Sequence, residues 1–270
     1  MKAGTYYENI VLNKTLSLVG ENRDTTIIDG NFFTPIVHIT ANNVTISGFT
    51  IQNGGHIFGF EGGGIYITNS NWNNIVDNTI TNTQYGINLG GSARNIIINN
   101  GITANDVGIQ FLDDYSSNNT IYHNNFIKNG LQVSNFTAPN NTWDNGYPSG
   151  GNYWSDHNPP DLYSGPYQNV TGRDGIGDIS YIIDGNNTDR YPLIYLYGYA
   201  FTIDLNNDRF IDIVDIVTVA IAFGSRPGDS NWNPMADINQ DGIVDVVDFI
   251  MVSMHFGRPE NLLLNNMWNI

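Results

Sequence analysis

The chain contains no cysteine among its 270 residues, which excludes disulfide staples, zinc-thiolate sites and thiol chemistry and leaves the redox compartment unwritten in cysteine pairing. Basic residues are scarce: 10 Lys+Arg stand against 26 Asp+Glu, for a net charge of −16. So acidic a chain argues against nucleic acid or an anionic membrane as partner and makes cations the natural counterpart. No apolar run approaches the ~20 residues of a membrane-spanning helix. No secretory leader opens the sequence either, since Met1-Lys2-Ala3-Gly4-Thr5 runs straight into strand-like residues; a leader and a capping element are expected upstream. The histidines His38, His56, His123, His157 and His255 are scattered, so copper lacks the clustered soft or imidazole ligands it requires. With 40% hydrophobic and 12% aromatic content, the chain still has enough apolar surface for one large domain and a small one.

What is present is a repeat. Gly64-Ile65-Tyr66-Ile67, Gly86-Ile87-Asn88-Leu89, Gly108-Ile109-Gln110-Phe111 and Gly130-Leu131-Gln132-Val133 each lie 22 residues after the last. In each copy two apolar residues flank a polar one, the alternation of a strand with one buried face. So short a repeat cannot bury its apolar face alone, but stacked coils can, which predicts an all-β parallel β-helix with one turn per repeat. A second ladder runs beside it, Asn78-Thr79-Ile80-Thr81-Asn82 and Asn100-Gly101-Ile102-Thr103, then Asn125-Phe126-Ile127-Lys128-Asn129 three residues late. The delay predicts a loop insertion, and stacked asparagines at corners are expected to bond the coils above and below and to tolerate left-handed backbone.

Upstream, Tyr7 to Leu12, Leu16 to Val19 and Thr26 to Gly30 read as an opening coil, and Ile36 to Ile39 with Val44 to Ile51 as the next, before a glycine-rich excursion at Gly54 to Gly64. The run GTYYENIVLNKTLSLVGEN followed by TTIIDG, the 22-residue coils, and NTWDNGYPSGGNYWSD followed by GRDGIGDISYIIDGNNTDRYPL resemble secreted archaeal and bacterial right-handed parallel β-helix proteins. That group includes carbohydrate-binding and sugar-hydrolase β-helix domains and a copper-linked periplasmic accessory family of nitrous oxide reductase. The resemblance covers about Gly4 to Leu196, is strongest at Gly151 to Asp156 and Asp174 to Asp178, and implies a right-handed solenoid over 1–200, with coils at 4–134 and a non-repetitive closing segment at 135–200. The aromatics Trp143, Tyr147, Tyr153, Trp154, Tyr163, Tyr167, Tyr181 and Tyr191 of that segment are expected to cover the last coil rather than to stack on sugars. Asp174 and Asp178 face each other across a Gly-Ile-Gly turn and are candidates for a cation.

Two acidic loops follow. Asp204, Asn206, Asp208, Asp212 and Asp215 recur 33 residues later as Asp237, Asn239, Asp241, Asp245 and Asp248. Both sets supply oxygen at loop positions 1, 3, 5, 9 and 12, and the backbone carbonyls of Phe210 and Ile243 complete position 7, the hard oxygen shell of calcium. Two ions are expected, with a third if the Asp174 and Asp178 pair holds one. Apolar helices are predicted over Ile216 to Phe223 and Phe249 to Phe256, each stopped by a glycine, Gly224 or Gly257. This duplicated loop-helix unit, placed at 201–258, resembles the dockerin family, whose members dock onto cohesin modules when calcium is bound. In that family positions 10 and 11 carry specificity; here they are Ile213, Val214, Val246 and Val247, apolar where many cellulosomal members carry hydroxyls. The partner is thus a cohesin-like module or another copy of this chain, with extracellular polysaccharide a further candidate.

The triplets beginning at Asn13, Asn43, Asn118, Asn135, Asn140, Asn169 and Asn186 fit the N-glycosylation pattern and point, though a chain rich in Asn and Thr makes them often, to an extracellular or cell-surface location. Two function classes compete. The first is a non-catalytic calcium-binding structural or adhesion protein, assembling head to tail into filaments if its apolar tail at 259–270 or its calcium domain covers the open coil end of a neighbour. The second is a polysaccharide lyase or hydrolase on the same coils. A lyase needs a positioned base and a hydrolase a pair of carboxylates, whereas the coils offer only Lys14, Arg23, Arg94 and Lys128 and the adjacent pair Asp113-Asp114. Enzymatic activity is therefore the weaker expectation.

Overall fold

The computed structural model describes the chain except residues 56–61, 136–139, 173, 199–202, 207, 209, 227, 234, 239–241 and 260–270, and except the side chains of 135, 258 and 259. The apolar tail and much of the glycine-rich excursion thus lie outside the described residues. Two compact units result, Met1–Tyr197 and Gly198–Ile270.

The first unit is a parallel β-helix of three sheets. One contains Gly4–Tyr7, Thr26–Asp29, Thr50–Gln52, Thr79–Thr81, Gly101–Thr103, Asn125–Ile127 and Tyr153–Trp154; a second contains Ile10–Leu12, Val37–Ile39, Ile65–Thr68, Tyr85–Gly90, Val107–Phe111 and Leu131–Asn135; a third contains Ser17–Val19, Thr45–Ser47, Asn74–Val76, Ile96–Ile98 and Thr120–Tyr122. Each strand pairs with its equivalents in the coils before and after. Because alternate residues point to opposite faces, one file turns inward from the first sheet, Ile28, Ile51, Ile80, Ile102 and Phe126, one from the third, Ile46, Ile75, Ile97 and Ile121, and two from the second, Ile65, Ile87 and Ile109 with Ile67, Leu89 and Phe111, all fully buried.

The 22-residue period holds for three copies and then changes. Ile109 pairs with Val133, and Ile96 with Thr120, 24 residues apart, so Gly130 is not the structural equivalent of Gly108. The insertion can be placed: the Gly91 N–H donates to Asp113, 22 residues on, while the Ser92 N–H donates to Ser116, 24 on, leaving Asp114 and Tyr115 as the two extra residues. An even insertion preserves the alternation of inward and outward side chains, which is why the fourth copy keeps the sequence pattern although its register moves. The same shift makes Asn124, not Asn125, the rung equivalent to Asn100.

At the corners the asparagines form continuous buried ladders. The backbone N–H groups of Asn78, Asn100 and Asn124 donate to the Oδ1 atoms of Asn100, Asn124 and Asn152, each at 3.0 Å. Another ladder climbs through Asn73, Asn95, Asn119 and Asn141. Asn82 is left-handed as expected, at φ 52°, but beside the two ladders left-handed backbone falls one residue before the rung, on Trp72, Asp77, Arg94, Asn99, Asn118 and His123. The ladder asparagine itself must aim its amide along the stack, so the reversal is made by the residue before it. The closing segment supplies the last rungs, Asn187 accepting from the Asn141 N–H at 2.9 Å and Asp189 from the Asn152 N–H at 2.7 Å. Three of its aromatics end the core, Trp154 stacking between Phe126 and Tyr181 at 4.3 and 4.1 Å and Trp143 meeting Phe111 edge-on, whereas Tyr147, Tyr163 and Tyr167, expected to cover the last coil, are exposed.

The second unit holds two helices, α1 (Ile213–Ala222) and α2 (Val246–Ser253), each starting three residues before its predicted start. Asp212 and Asp245 cap them and bond the N–H groups of Val214 and Val247, while Asp215 and Asp248 close reciprocal capping boxes. The Asp-x-x-Asp pattern is thus a helix start signal as well as a pair of loop positions. Ile203, Ile211, Val219, Ala222, Ala236, Ile238, Val244 and Val252 form the core.

Candidate functional site

The loop carboxylates are set by their place before a helix. Asp215 and Asp248, both fully buried, reach back across their loops: Asp215 accepts from the N–H groups of Leu205 at 2.6 Å and Asp212 at 2.8 Å, and Asp248 from Ile238 at 2.7 Å and Asp245 at 2.8 Å. Position 12 is thereby tied to positions 2 and 9 in both loops. Asp204, also fully buried, accepts from the Asp208 N–H at 3.1 Å, Asp208 from the Phe210 N–H at 2.9 Å, and the Asn206 amide donates to Asp208 at 2.9 Å. In the second loop Asp237 accepts from the Gly242 N–H at 2.9 Å; Asn239 and Asp241 lie outside the described residues. Ile243 at position 7 is described and half-buried.

Among the described residues no three His, Asp or Glu side chains come close enough together to hold a metal ion. The chemistry of the donors nonetheless fits calcium: they are hard oxygens, and a fully buried carboxylate needs compensation that a divalent cation supplies. Asp204, Asn206, Asp208, Asp212, Asp215, Asp237, Asp245 and Asp248, with the Phe210 and Ile243 carbonyls, are the described groups that would hold it.

The helices turn apolar residues outward. Ile213 is 59% exposed, Val214 45%, Val217 45% and Ile221 69%; the residues 33 later, Val246, Val247, Ile250 and Met254, are 55, 44, 48 and 69% exposed. Sequence reading singled out the first two of each set and missed Val217, Ile221, Ile250 and Met254, which the one-turn spacing from positions 10 and 11 could have revealed. Eight large apolar side chains left in water on equivalent faces are uncommon in a small unit.

Asp174 and Asp178 sit in one knot with Asp161, which sequence reading passed over. Asp178 accepts from the N–H groups of Leu162 and Tyr163, Asp174 from Ile176 N–H at 3.0 Å and the Gln168 amide at 3.1 Å, and Asp161 from the Asp174 and Gly175 N–H groups. Burial, with the charges of Asp174 and Asp178 beside it, raises the Asp161 pKa. All three carboxylates brace loop backbone.

Asp113 accepts from the N–H groups of Gly91, Tyr115 and Ser116 and from the Ser116 hydroxyl, so it caps the two-residue insertion, and Asp114 beside it is exposed. The described histidines are engaged separately. His38 bonds Thr68 and stacks on Tyr66, His123 bonds the Ser149 carbonyl and stacks on Tyr197, His157 bonds the Ile179 carbonyl, and His255 the Met251 carbonyl; His56 lies outside the described residues. The sequon asparagines Asn13, Asn43, Asn118, Asn140, Asn169 and Asn186 are exposed, while the Asn135 side chain is outside the described residues.

No curated protein matches the chain. Among solved structures, a pectin methylesterase crystallised with a hexasaccharide is similar over 45% of this chain and 60% of its own length, at 12% identity and a TM-score of 0.25, a likeness too slight to bear on activity. Residues 202–257, the two acidic loops and their helices, match the dockerin type I domain. The solenoid is matched over residues 5–159, more than half of the molecule, by the family described as periplasmic copper-binding protein (NosD), and to that family the chain belongs.

Proposed function

We propose that this chain is an extracellular, non-catalytic β-helix protein joined to a calcium-dependent docking domain, and that its partner is a cohesin module. The observation that carries the reading is the duplicated apolar face: Ile213, Val214, Val217 and Ile221 on α1 recur as Val246, Val247 and Ile250 on α2 and Met254 at its C-terminal cap, exposed to similar degrees. A dockerin-type unit that leaves such faces in water has a surface suited to bury against a partner. Calcium would hold the loops from which both helices start, two ions in all, and so keep the faces in shape.

Among the described residues, the side chains considered for the two competing chemistries are otherwise engaged. Copper, which the family description attaches to its members, needs imidazole or soft sulfur ligands converging on one point, and each described histidine is instead bonded in its own neighbourhood. A hydrolase needs two carboxylates facing one groove, whereas Asp113 serves as a turn cap. No helix among the described residues is long and apolar enough to cross a membrane.

The test is capture of the intact chain on a panel of immobilised cohesin modules. Retention in calcium, release by chelator, and loss in the double variant Ile213→Asp with Val246→Asp are expected, with the variant's helical circular dichroism retained. The reading fails if a chain folded in calcium binds no cohesin, and self-association by light scattering under those conditions would make a second copy the partner.

A further inference from the structure

One corner of the solenoid, where the second sheet passes into the third, carries a file of equivalent residues in left-handed backbone: Asn43, Trp72, Arg94 and Asn118, with φ of 57, 58, 59 and 56°. Strand register establishes the equivalence, since Thr45 pairs with Asn74, Asn74 with Ile96, and Ile96 with Thr120, each two residues beyond. Asn tolerates this conformation readily, but Trp and Arg adopt it at a cost. Asn43 and Asn118 each begin an Asn-x-Thr triplet, and the file shows that the corner itself does not require one, because Trp72 and Arg94 occupy the same seat. Both asparagines are exposed. The Asn43 amide has no hydrogen-bond partner among the described residues, and that of Asn118 has only the neighbouring Ser117 hydroxyl at 3.2 Å. Thr45 and Thr120 alternate with the buried Ile46 and Ile121, which turns their hydroxyls to the outer face beside the asparagine.

Between the two acceptors stands Trp72, 49% exposed, with the Arg94 guanidinium 5.5 Å from its ring centre. Arg94 comes from the following coil, so the other face of the indole looks toward the coil of Asn43. Coils rise by about 4.8 Å, which puts Asn43 about one rise from Trp72 on one side and Asn118 about two rises away on the other.

We propose that this corner is a glycan-bearing edge, with Asn43 and Asn118 the N-glycosylated residues and Trp72 the platform on which the sugar attached to Asn43 packs. The co-substrate is an oligosaccharide activated as a polyprenyl phosphate or pyrophosphate ester. The asparagine Nδ2 attacks sugar C1, the C1–N bond forms as the C1–O bond to phosphate breaks, Nδ2 loses one proton, and the lipid phosphate leaves; no redox change occurs. An apolar sugar face against an exposed indole gains burial that neither surface has in water. The inference rests on the extracellular reading above only for access to the transfer machinery, and it is measured independently of docking.

The test is peptide mass mapping of the intact chain purified from the cells that make it. Glycan-bearing peptides containing Asn43 and Asn118 are expected, lost one at a time in Thr45→Ala and Thr120→Ala, which leave each asparagine in place. Unmodified Asn43 and Asn118 peptides would overturn the proposal, whether or not the same preparation binds cohesin. For the platform, acrylamide should quench tryptophan fluorescence more strongly in Thr45→Ala than in the wild type, and the difference should vanish in a Trp72→Phe background. Equal quenching in both proteins, with the Asn43 glycan confirmed, would remove Trp72 from the proposal.

Discussion

The backbone N–H of Gly257, just past the second helix, donates to the carbonyl of Ile211 in the first acidic loop at 2.7 Å, and its counterpart Gly224 donates to Val244 in the second loop at the same distance. Each helix end is thus fastened to loop position 8 of the other unit. Position 8 is fully buried in both cases, and both glycines are left-handed, at φ 78 and 79°. The two loop-helix units are interlocked rather than merely adjacent, so what orders one loop should also order the opposite helix.

Gly257→Ala tests this exchange. No neighbouring atom would meet the added Cβ, so the effect is conformational, about 1 kcal/mol. The helical transition of the intact chain should shift to lower temperature, and the calcium concentration at its midpoint should rise although Gly257 is no ligand. Gly224→Ala should behave alike.

If calcium holds the second unit as proposed, chelation should reduce the helical circular dichroism while leaving the β-helix folded, because ordering of that unit would be coupled to calcium binding. Asp215→Ala removes both the proposed ligand and the acceptor for the Leu205 and Asp212 N–H groups. A loss of about 2–3 kcal/mol is expected, and excess calcium should not restore it. Full rescue by calcium would show that the clasp across the loop contributes little.

Asn100→Ala should destabilise the solenoid. Asn100 Oδ1 accepts from the Asn78 N–H, and its amide donates to the Ile75 and Ile98 carbonyls and to Asn124 at 2.8, 2.9 and 3.0 Å. Removing it strands several buried polar groups, costing about 3–5 kcal/mol. The sheet signal should melt early while the helical transition stays in place, and Asn169→Ala, on an exposed turn, should change neither.

Asp189 ends a ladder of asparagines with a carboxylate. Burial pushes its pKa up to about 7, against the opposing pull of N–H donors from Asn152, Trp154 and Tyr191. A carboxyl that holds its proton more tightly folded than unfolded gives stability that is complete below the ordinary Asp value and is lost as pH rises toward 7. Melting of the solenoid should therefore fall between about pH 4 and pH 7, and Asp189→Asn should flatten that slope. An unchanged profile would show Asp189 ionised throughout.

The solenoid was legible because its cause is local and repeated: β-branched triplets with an apolar centre, returning at a period near one coil, have no other way to bury their inward file. The loop-helix pair was legible because oxygen ligands at fixed offsets are a chemical requirement. Three features were not. The register after Phe111 depended on where two residues bulged, and an even shift leaves the alternation intact, so only strand pairing distinguished Gly130 from Gln132 as the partner of Gly108. The helix starts depended on Asp212 and Asp245 acting as caps, which requires Asp215 and Asp248 to fold back onto them. The outward apolar faces at Val217, Ile221, Ile250 and Met254 follow by one-turn spacing from positions 10 and 11, but that they stay in water does not, since an amphipathic helix states that one stripe is apolar but not which stripe the neighbouring helix covers. Sequence by itself determined that coils would stack and that two acidic loops would precede two helices, because those follow from spacing. Tertiary structure alone decided which corner residues point together, which apolar stripe is left in water, and which carboxylate ends the ladder, because each depends on what residues tens of positions away place opposite it.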